Sequence, residues 1–279
     1  MSCKVQQSVC SDCVTYAKSR IKFNTLNTFN NVKMNITTLG SGSSGNGYVI
    51  QNKSEALIIE CGINYKHAVE ALKGNVGKVS GCLVTHSHSD HAGFIKNYAK
   101  VFNVYATEET LQECDIKPNT FHFCPIPLFK EFKVGNFVVK AFDTEHDTKA
   151  PCGFIIFHKE MGTMLFLTDT HHIKYKFDFP IDYIFIECNH TDELVENSIK
   201  DGIIPRKVGI RAKATHMSLE RCICCLKASN THNTKAIVLI HISANNGDSE
   251  MFRKIVAQQI GKPTYCATKG FKLDFVVNI

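Results

Sequence analysis

The chain lacks any apolar run long enough to cross a bilayer: its longest runs, such as AIVLI and YIFI, fall far short of the roughly 20 residues a spanning helix needs. It has no basic start followed by an apolar stretch, since it opens MSCKVQQSVCSDC, so no secretory leader is expected and the cytoplasm is the expected compartment. There is no repeat at a fixed period and no seam dividing two small domains. The G-x-G-x-x-G fingerprint of dinucleotide-binding folds is also missing, because the loop SGSSGNG leads into a strand pattern and not a helix. What is present is ordinary for a globular domain: 279 residues, 44% hydrophobic and 21% charged, which excludes a wholly disordered chain, a collagen and a coiled coil.

Two counts stand out, 13 Cys and 13 His. A chain of this size folds without covalent staples, so the thiols read as small buried hydrophobes of a reducing compartment, Cys61, Cys82 and Cys188 among them. Cys10 and Cys13 form a C-x-x-C with Cys3 upstream, but no fourth zinc ligand follows at a recognisable spacing, and the role of that segment stays open. The net charge of +6 is uneven. Between Lys200 and Lys227 seven basic residues (Lys200, Arg206, Lys207, Arg211, Lys213, Arg221, Lys227) face two acidic ones, Asp201 and Glu220. Such a stripe is either a solvated face or a surface for a phosphate-rich partner.

Residues 1–34 read as a polar extension, partly disordered in expectation, in which VTYAKSRIKF has the spacing of a short helix. From residue 35 to 279 the pattern is one domain. NITTLGS, YVIQ and ALIIECG are three successive strands, YKHAVEALKG a helix, GCLVTH a buried strand and AGFIKNYAKVF a helix. NVYAT, FVVKAFDT, GFIIFHK, MLFLTD and YIFIEC continue as strands. TDELVENSI and SLERCICCLKAS are helical with Thr191 and Ser218 as N-caps, AIVLIHIS is a strand, and DSEMFRKIVAQQIG is a helix ending at Gly261. PTYCAT and FKLDFVV close the chain. In each half strands come first and helices follow, which suits two sheets packed face to face with helices outside: an α/β (α+β) chain in four layers, αββα.

The strongest chemical signal is THSHSDHAG, which places His86, His88, Asp90 and His91 within six positions at the end of a buried strand. His86 and His88 point the same way in an extended segment, and Asp90 with His91 falls in the following turn. Imidazole and carboxylate together suit zinc, manganese or iron far better than calcium or magnesium.

THSHSDH resembles the H-x-H-x-D-H signature of the metallo-β-lactamase-fold hydrolases. LGSGSSGNGYVI, IIECG, LFLTDT, FIECNH, the basic stretch leading into THMS, and VLIHISANN follow in the order and at about the spacings of the YycJ/WalJ branch, a group viewed as DNA exonucleases. The similarity runs from about Asn35 to Asn246. The resemblance implies the metallo-β-lactamase fold and two divalent ions, Zn2+ or Mn2+. One would be held by His86, His88 and His146, the other by Asp90, His91 and His241, with Asp169 between them. Five imidazoles and two carboxylates leave two divalent ions with a net charge of +2, which a hydroxide and an anionic phosphodiester would complete, and an ester or lactam would not. Metal-bound water, its pKa lowered towards about 7, would supply the nucleophile.

His216, in ATHMSLE, is surplus to those ligands, and by the resemblance it acts as general acid on the leaving alkoxide, the structural alternative being a hydrogen-bonded histidine. With Asp90 it completes the expected catalytic pair. Ser41, Ser43, Ser44 and Asn46 of SGSSGNG, Asn189, and Arg206, Lys207 and Arg211 of the stripe are the expected substrate contacts. His190 is placed beside the site, His171 and His172 stand where the family commonly has Gly, and Glu60 where it has Asp. The implied activity is phosphodiester hydrolysis on nucleic acid, DNA ahead of RNA, from the 5′ end. A cyclic-nucleotide phosphodiesterase and a lactam, ester or thioester hydrolase are the alternatives. No long Gly/Pro-rich arm is present for gripping tRNA. The oligomeric state, a dimer included, is left open.

Overall fold

The computed structural model describes residues 19–21, 34–117 and 120–276. Two seven-stranded sheets form the centre. The first contains β2 (Asn35–Gly40), β3 (Gly47–Gln51), β4 (Ala56–Ile59), β5 (Val79–Leu83), β6 (Val104–Ala106) and β7 (Phe123–Pro125) in that spatial order, with β16 (Lys272–Asp274) beside β2. The second contains β8 (Glu131–Val134), β9 (Phe137–Asp143), β10 (Cys152–His158) and β11 (Gly162–Leu167) as an antiparallel run. It continues in parallel through β13 (Tyr183–Glu187), β14 (Ala236–Ile240) and β15 (Thr264–Cys266).

Alternation along the strands fills three apolar layers. Ile36, Tyr48, Leu57, Phe137, Phe154, Phe166, Phe185 and Val238 meet between the sheets. The outer faces bury Val49, Ile58, Cys82 and Val104 under α1 (Tyr65–Ala71) and α3 (Ile95–Tyr98) on one side. On the other side Leu165, Ile184, Ile186 and Leu239 lie under α7 (Leu219–Ala228) and α8 (Ser249–Ile260). The expected αββα sandwich is what folds, and each fully buried large side chain contributes roughly 1.5–3 kcal/mol. Cys61, Cys82 and Cys188 are free buried thiols, as their apolar context requires; Cys3, Cys10 and Cys13 lie outside the described residues.

The N-caps also follow the sequence. Thr191 accepts from Leu194 N at the start of α5 (Asp192–Lys200), Ser218 accepts from Arg221 N at the start of α7, and Gly261 ends α8 in the left-handed region at φ 71°. Three expectations change. The short helix expected over VTYAKSRIKF is described only at residues 19–21, which form a strand, β1 (Ser19–Ile21), paired in parallel with β12 (Tyr175–Phe177). The helix expected over AGFIKNYAKVF is a single turn at Ile95–Tyr98, preceded by another, α2 (Ser89–Ala92). The basic stripe, which carries no apolar period, is itself helical: α6 (Arg206–Thr215). Its Val208 and Ile210 point to solvent, so hydrophobic spacing could not reveal it. It docks through Gly209, where a Cβ would press on Ile199 and Val195 of α5.

Candidate metal centre

The loops at one edge of the sandwich gather the chemistry. His86 follows β5, Asp90 and His91 ride on α2 with His88 just before it, His146 follows β9, Asp169 follows β11 and His241 follows β14. All seven sequence-derived ligands converge. His86, His88, His146 and Asp169 form one group of donor atoms within 4.8 Å of one another, and Asp90, His91, Asp169 and His241 form a second. Asp169 belongs to both: its Oδ2 lies 3.7 Å from His86 Nε2, 3.6 Å from His146 Nε2 and 3.4 Å from His91 Nε2, and its Oδ1 lies 3.5 Å from His241 Nδ1. Asp169 and His241 sit at φ 43° and 51°, so backbone strain is held where the two donors meet.

The donor chemistry fits divalent cations. His86 Nε2 is buried without a hydrogen-bond partner while Thr85 Oγ1 sits 2.9 Å from its Nδ1, which leaves a lone pair aimed at Asp169. His146 donates from Nδ1 to Thr215 O at 3.0 Å, so its Nε2, 3.0 Å from His88 Nδ1, is the free nitrogen. Burial pushes the His86 pKa well down, keeping that imidazole neutral as a ligand must be. For Asp169 burial alone would raise the pKa, but His241 and His91 hold the carboxyl well below its usual range. Burial likewise opposes charge on His241, yet Asp169, Asp90 and Glu187 push it up to about 10, so cation binding there displaces a proton.

Bracing groups surround the donors. Glu60, fully buried at φ 68°, accepts from Thr85 Oγ1 at 2.6 Å and lies 3.4 Å from His91 Nδ1, so the longer carboxylate still supports the ligand. Two expected substrate contacts lie against the ligands themselves. Asn46 is buried, bonded to Gly42 and Asp90 main chain and 2.9 Å from His91 Nε2; Asn189 is buried and donates to His241 O at 2.9 Å. Both hold the centre together through these bonds. Ser41 Oγ accepts from His241 N and from Tyr48 OH, whereas Ser43 and Ser44 are exposed. Gly62 is packed so closely on Asp90 that a Cβ would fall 1.7 Å from Asp90 O.

His216 caps the end of α6 beside the centre, its ring 5.3 Å from that of His241 and 5.1 Å from that of His146. Its partner was missed in the sequence. Glu187, the last residue of β13, is fully buried and accepts from His216 Nδ1 at 2.7 Å while lying 3.2 Å from His241 Nδ1. Burial would raise its pKa, but His216 and the hydrogen bonds hold it down at about 2. An ionisable residue closing the otherwise apolar run YIFIE was the available signal, since a carboxylate is buried only with partners. Asp147 was missed too: it lies 3.6 Å from His88 Nε2 and takes Arg211 at 2.8 and 3.1 Å, so Arg211 is already engaged. Arg206 and Lys207 are exposed on α6. His172 pairs with Glu145 at 3.0 Å with His171 half-buried beside it, and His190 is buried and neutral, its pKa lowered by burial to about 4.

The family profile described as the metallo-beta-lactamase superfamily matches residues 40–192, more than half the chain. The chain belongs to that superfamily. Among curated proteins it is similar to the exodeoxyribonuclease YycJ of Bacillus anthracis, at 28% identity over 86% of this chain and 94% of that protein. It is also similar to the exodeoxyribonuclease WalJ of Streptococcus pneumoniae, at 25% identity over 86% and 91%. Among solved structures, the metallo-beta-lactamase fold protein YhfI of Bacillus subtilis superposes with a TM-score of 0.65 at 16% identity, covering 87% of this chain and 99% of that one. Human tRNase Z, short form, superposes at 0.54 and 17%, covering 88% and 100%. No described helix is long and apolar enough to cross a membrane.

Proposed function

We propose that the chain is a metal-dependent phosphodiesterase that degrades DNA from its 5′ end. The observation that carries the reading is the Glu187–His216 pair, a proton donor at the end of a basic helix with its donor atoms within 4.8 Å of those of Asp169 and His241. His86, His88, His146 and Asp169 would hold one divalent ion, and Asp90, His91, His241 and Asp169 the other; Zn2+ suits this imidazole-rich set, with Mn2+ as a substitute. Such ions, when bound, lower the pKa of water and polarise the phosphoryl oxygen.

A carboxylate can only accept, so His216 donates from Nδ1 to Glu187, and Nε2 is the nitrogen free to give a proton. Burial disfavours the imidazolium, but Glu187 outweighs it and raises the His216 pKa, so the proton is in place. A deoxyribose alkoxide is a poor leaving group and needs that proton; the thiolate released from a thioester leaves without one. The exodeoxyribonuclease names of the similar YycJ and WalJ proteins support DNA over RNA and end-directed cleavage, and the family resemblance supports the 5′ polarity.

The test compares two leaving groups on the zinc- or manganese-loaded protein. His216→Ala should slow hydrolysis of end-labelled DNA by about 10² or more while barely slowing a p-nitrophenyl phosphodiester, whose leaving group needs no proton. Equal losses on both would remove His216 from the acid role. Cleavage of a cyclic mononucleotide but of no polynucleotide would replace the reading with the small-substrate one.

A further inference from the structure

Beside the centre lies a cavity of about 360 Å3, within the size range of small-ligand sites. It shares walls with the second ligand group: Ser41, which accepts from His241 N, and Gly62, which packs on Asp90 O. The basic helix α6 touches the first group through Thr215 on His146 and through Arg211 and Asp147 on His88, and its capping His216 reaches on to His241. The metal centre therefore stands between the basic helix and the cavity.

The lining is rich in donors and free of acid. Lys269 is exposed in the turn between β15 and β16, and that turn is pinned to β2 by Gly270 N bonding to Thr38 O at 2.8 Å. Asn64 spends its Oδ1 on Lys66 N, which leaves its amide hydrogens. Ser41 accepts twice and keeps its own hydrogen, and Ser44 adds a second hydroxyl. His67 lies at the edge, paired at 3.1 Å with Glu70, which is not among the lining residues. The remaining wall is Leu39, Ile63 and the Phe94 ring, an apolar face for a base or sugar. Unspent donors on one side and an aromatic, aliphatic surface on the other match a nucleotide, phosphate and base together.

We propose that this cavity binds the single terminal nucleotide of the substrate, so that a strand lying along α6 crosses the centre and ends there. The inference rests on the nuclease reading for its role in cleavage, but nucleotide binding is measurable without turnover. A one-nucleotide cavity sets the product: mononucleotides, released one at a time.

The experiment is calorimetric titration of the metal-loaded protein with thymidine 5′-monophosphate and, separately, with inorganic phosphate, which carries no base or sugar to fill the cavity. The nucleotide should bind about tenfold or more tighter than phosphate, a gap supplied by the cavity. Lys269→Glu and Ser44→Glu, both at exposed positions, should bring that ratio close to one, and Lys269→Arg should keep it. A ratio near one in the unaltered protein, or a ratio that survives both acidic substitutions, would overturn the proposal. Failure of the nuclease reading would show elsewhere, as absent cleavage of any polynucleotide.

Discussion

The two halves of the metal centre differ in what braces them more than in depth: His86, His146, His91 and His241 are all buried, while His88 in one half and Asp90 in the other reach the surface. His91 and His241 are almost wholly buried, with the carboxylates of Glu60 and Glu187 behind their rings and Asn189 and Ser41 holding the His241 backbone. In the other half the His88 side chain is 28% exposed, and its neighbour Asp147 is 38% exposed and shared with Arg211. His86 and His146 lean on a threonine hydroxyl and a main-chain carbonyl. Carboxylate support raises imidazole basicity and fixes its orientation, so the Asp90–His91–His241 half is expected to hold an ion more tightly than the His86–His88–His146 half. The asymmetry places the better-braced half against the nucleotide-sized cavity and the looser half against the basic helix.

Asp169 is the point where the comparison breaks, because it serves both halves. Asp169→Asn should strip both ions and lower hydrolysis by about 10³ or more, measured as metal content after gel filtration and as kcat/KM. Retention of one equivalent would show that the better-braced half stands without it. The halves themselves separate with His91→Ala and His88→Ala. The first leaves buried Glu60 with only its Thr85 hydrogen bonds and no neighbouring imidazole, which should lower Tm as well as metal content. The second should release one metal equivalent and leave Tm nearly unchanged. Equal Tm losses would contradict the difference in bracing.

The unequal legibility of these residues in the sequence has the same physical root. His86, His88, Asp90 and His91 are contiguous, and a local run of polar groups at the end of an apolar strand declares itself. His146, Asp169 and His241 are each a single residue after a strand, identifiable through the family pattern and not by spacing. The αββα layering followed from strand and helix order, because alternation and N-caps are local signals. What stayed hidden depends on distant contacts: Glu187 acquires meaning only against His216, 2.7 Å away in space, and Asn46 reads as a loop residue until it is found packed on Asp90. Helix α6 escaped because its apolar side chains face outward and a glycine makes its packing contact.

Glu187 touches both His216 and His241, so it tests whether the better-braced half and the acid are linked. Glu187→Gln removes the charge that raises the His216 pKa. A group that must be protonated to act loses activity as pH rises through its pKa, so a lowered pKa moves the alkaline limb of the kcat/KM profile to lower pH. The shift should be about one unit, read at saturating metal with DNA as substrate. An unmoved limb would detach Glu187 from the acid and leave it as support for His241 alone.

The smallest effect is expected on the looser flank. Arg206 and Lys207 are exposed on α6, whereas Arg211 is tied to Asp147 and through it to His88. Charge reversal of Arg206 and Lys207 together should weaken DNA binding several-fold at low salt and flatten its dependence on salt concentration, because each lost phosphate contact removes about one released counterion from the slope. Metal content should not change, since neither residue contacts a ligand. Arg211→Ala should differ in kind: besides lowering the slope it frees Asp147, and the first-half metal should then exchange faster into a chelator. If all three substitutions alter only the salt slope, Arg211 is one more surface charge and the basic helix is not coupled to the His86–His88–His146 half of the centre.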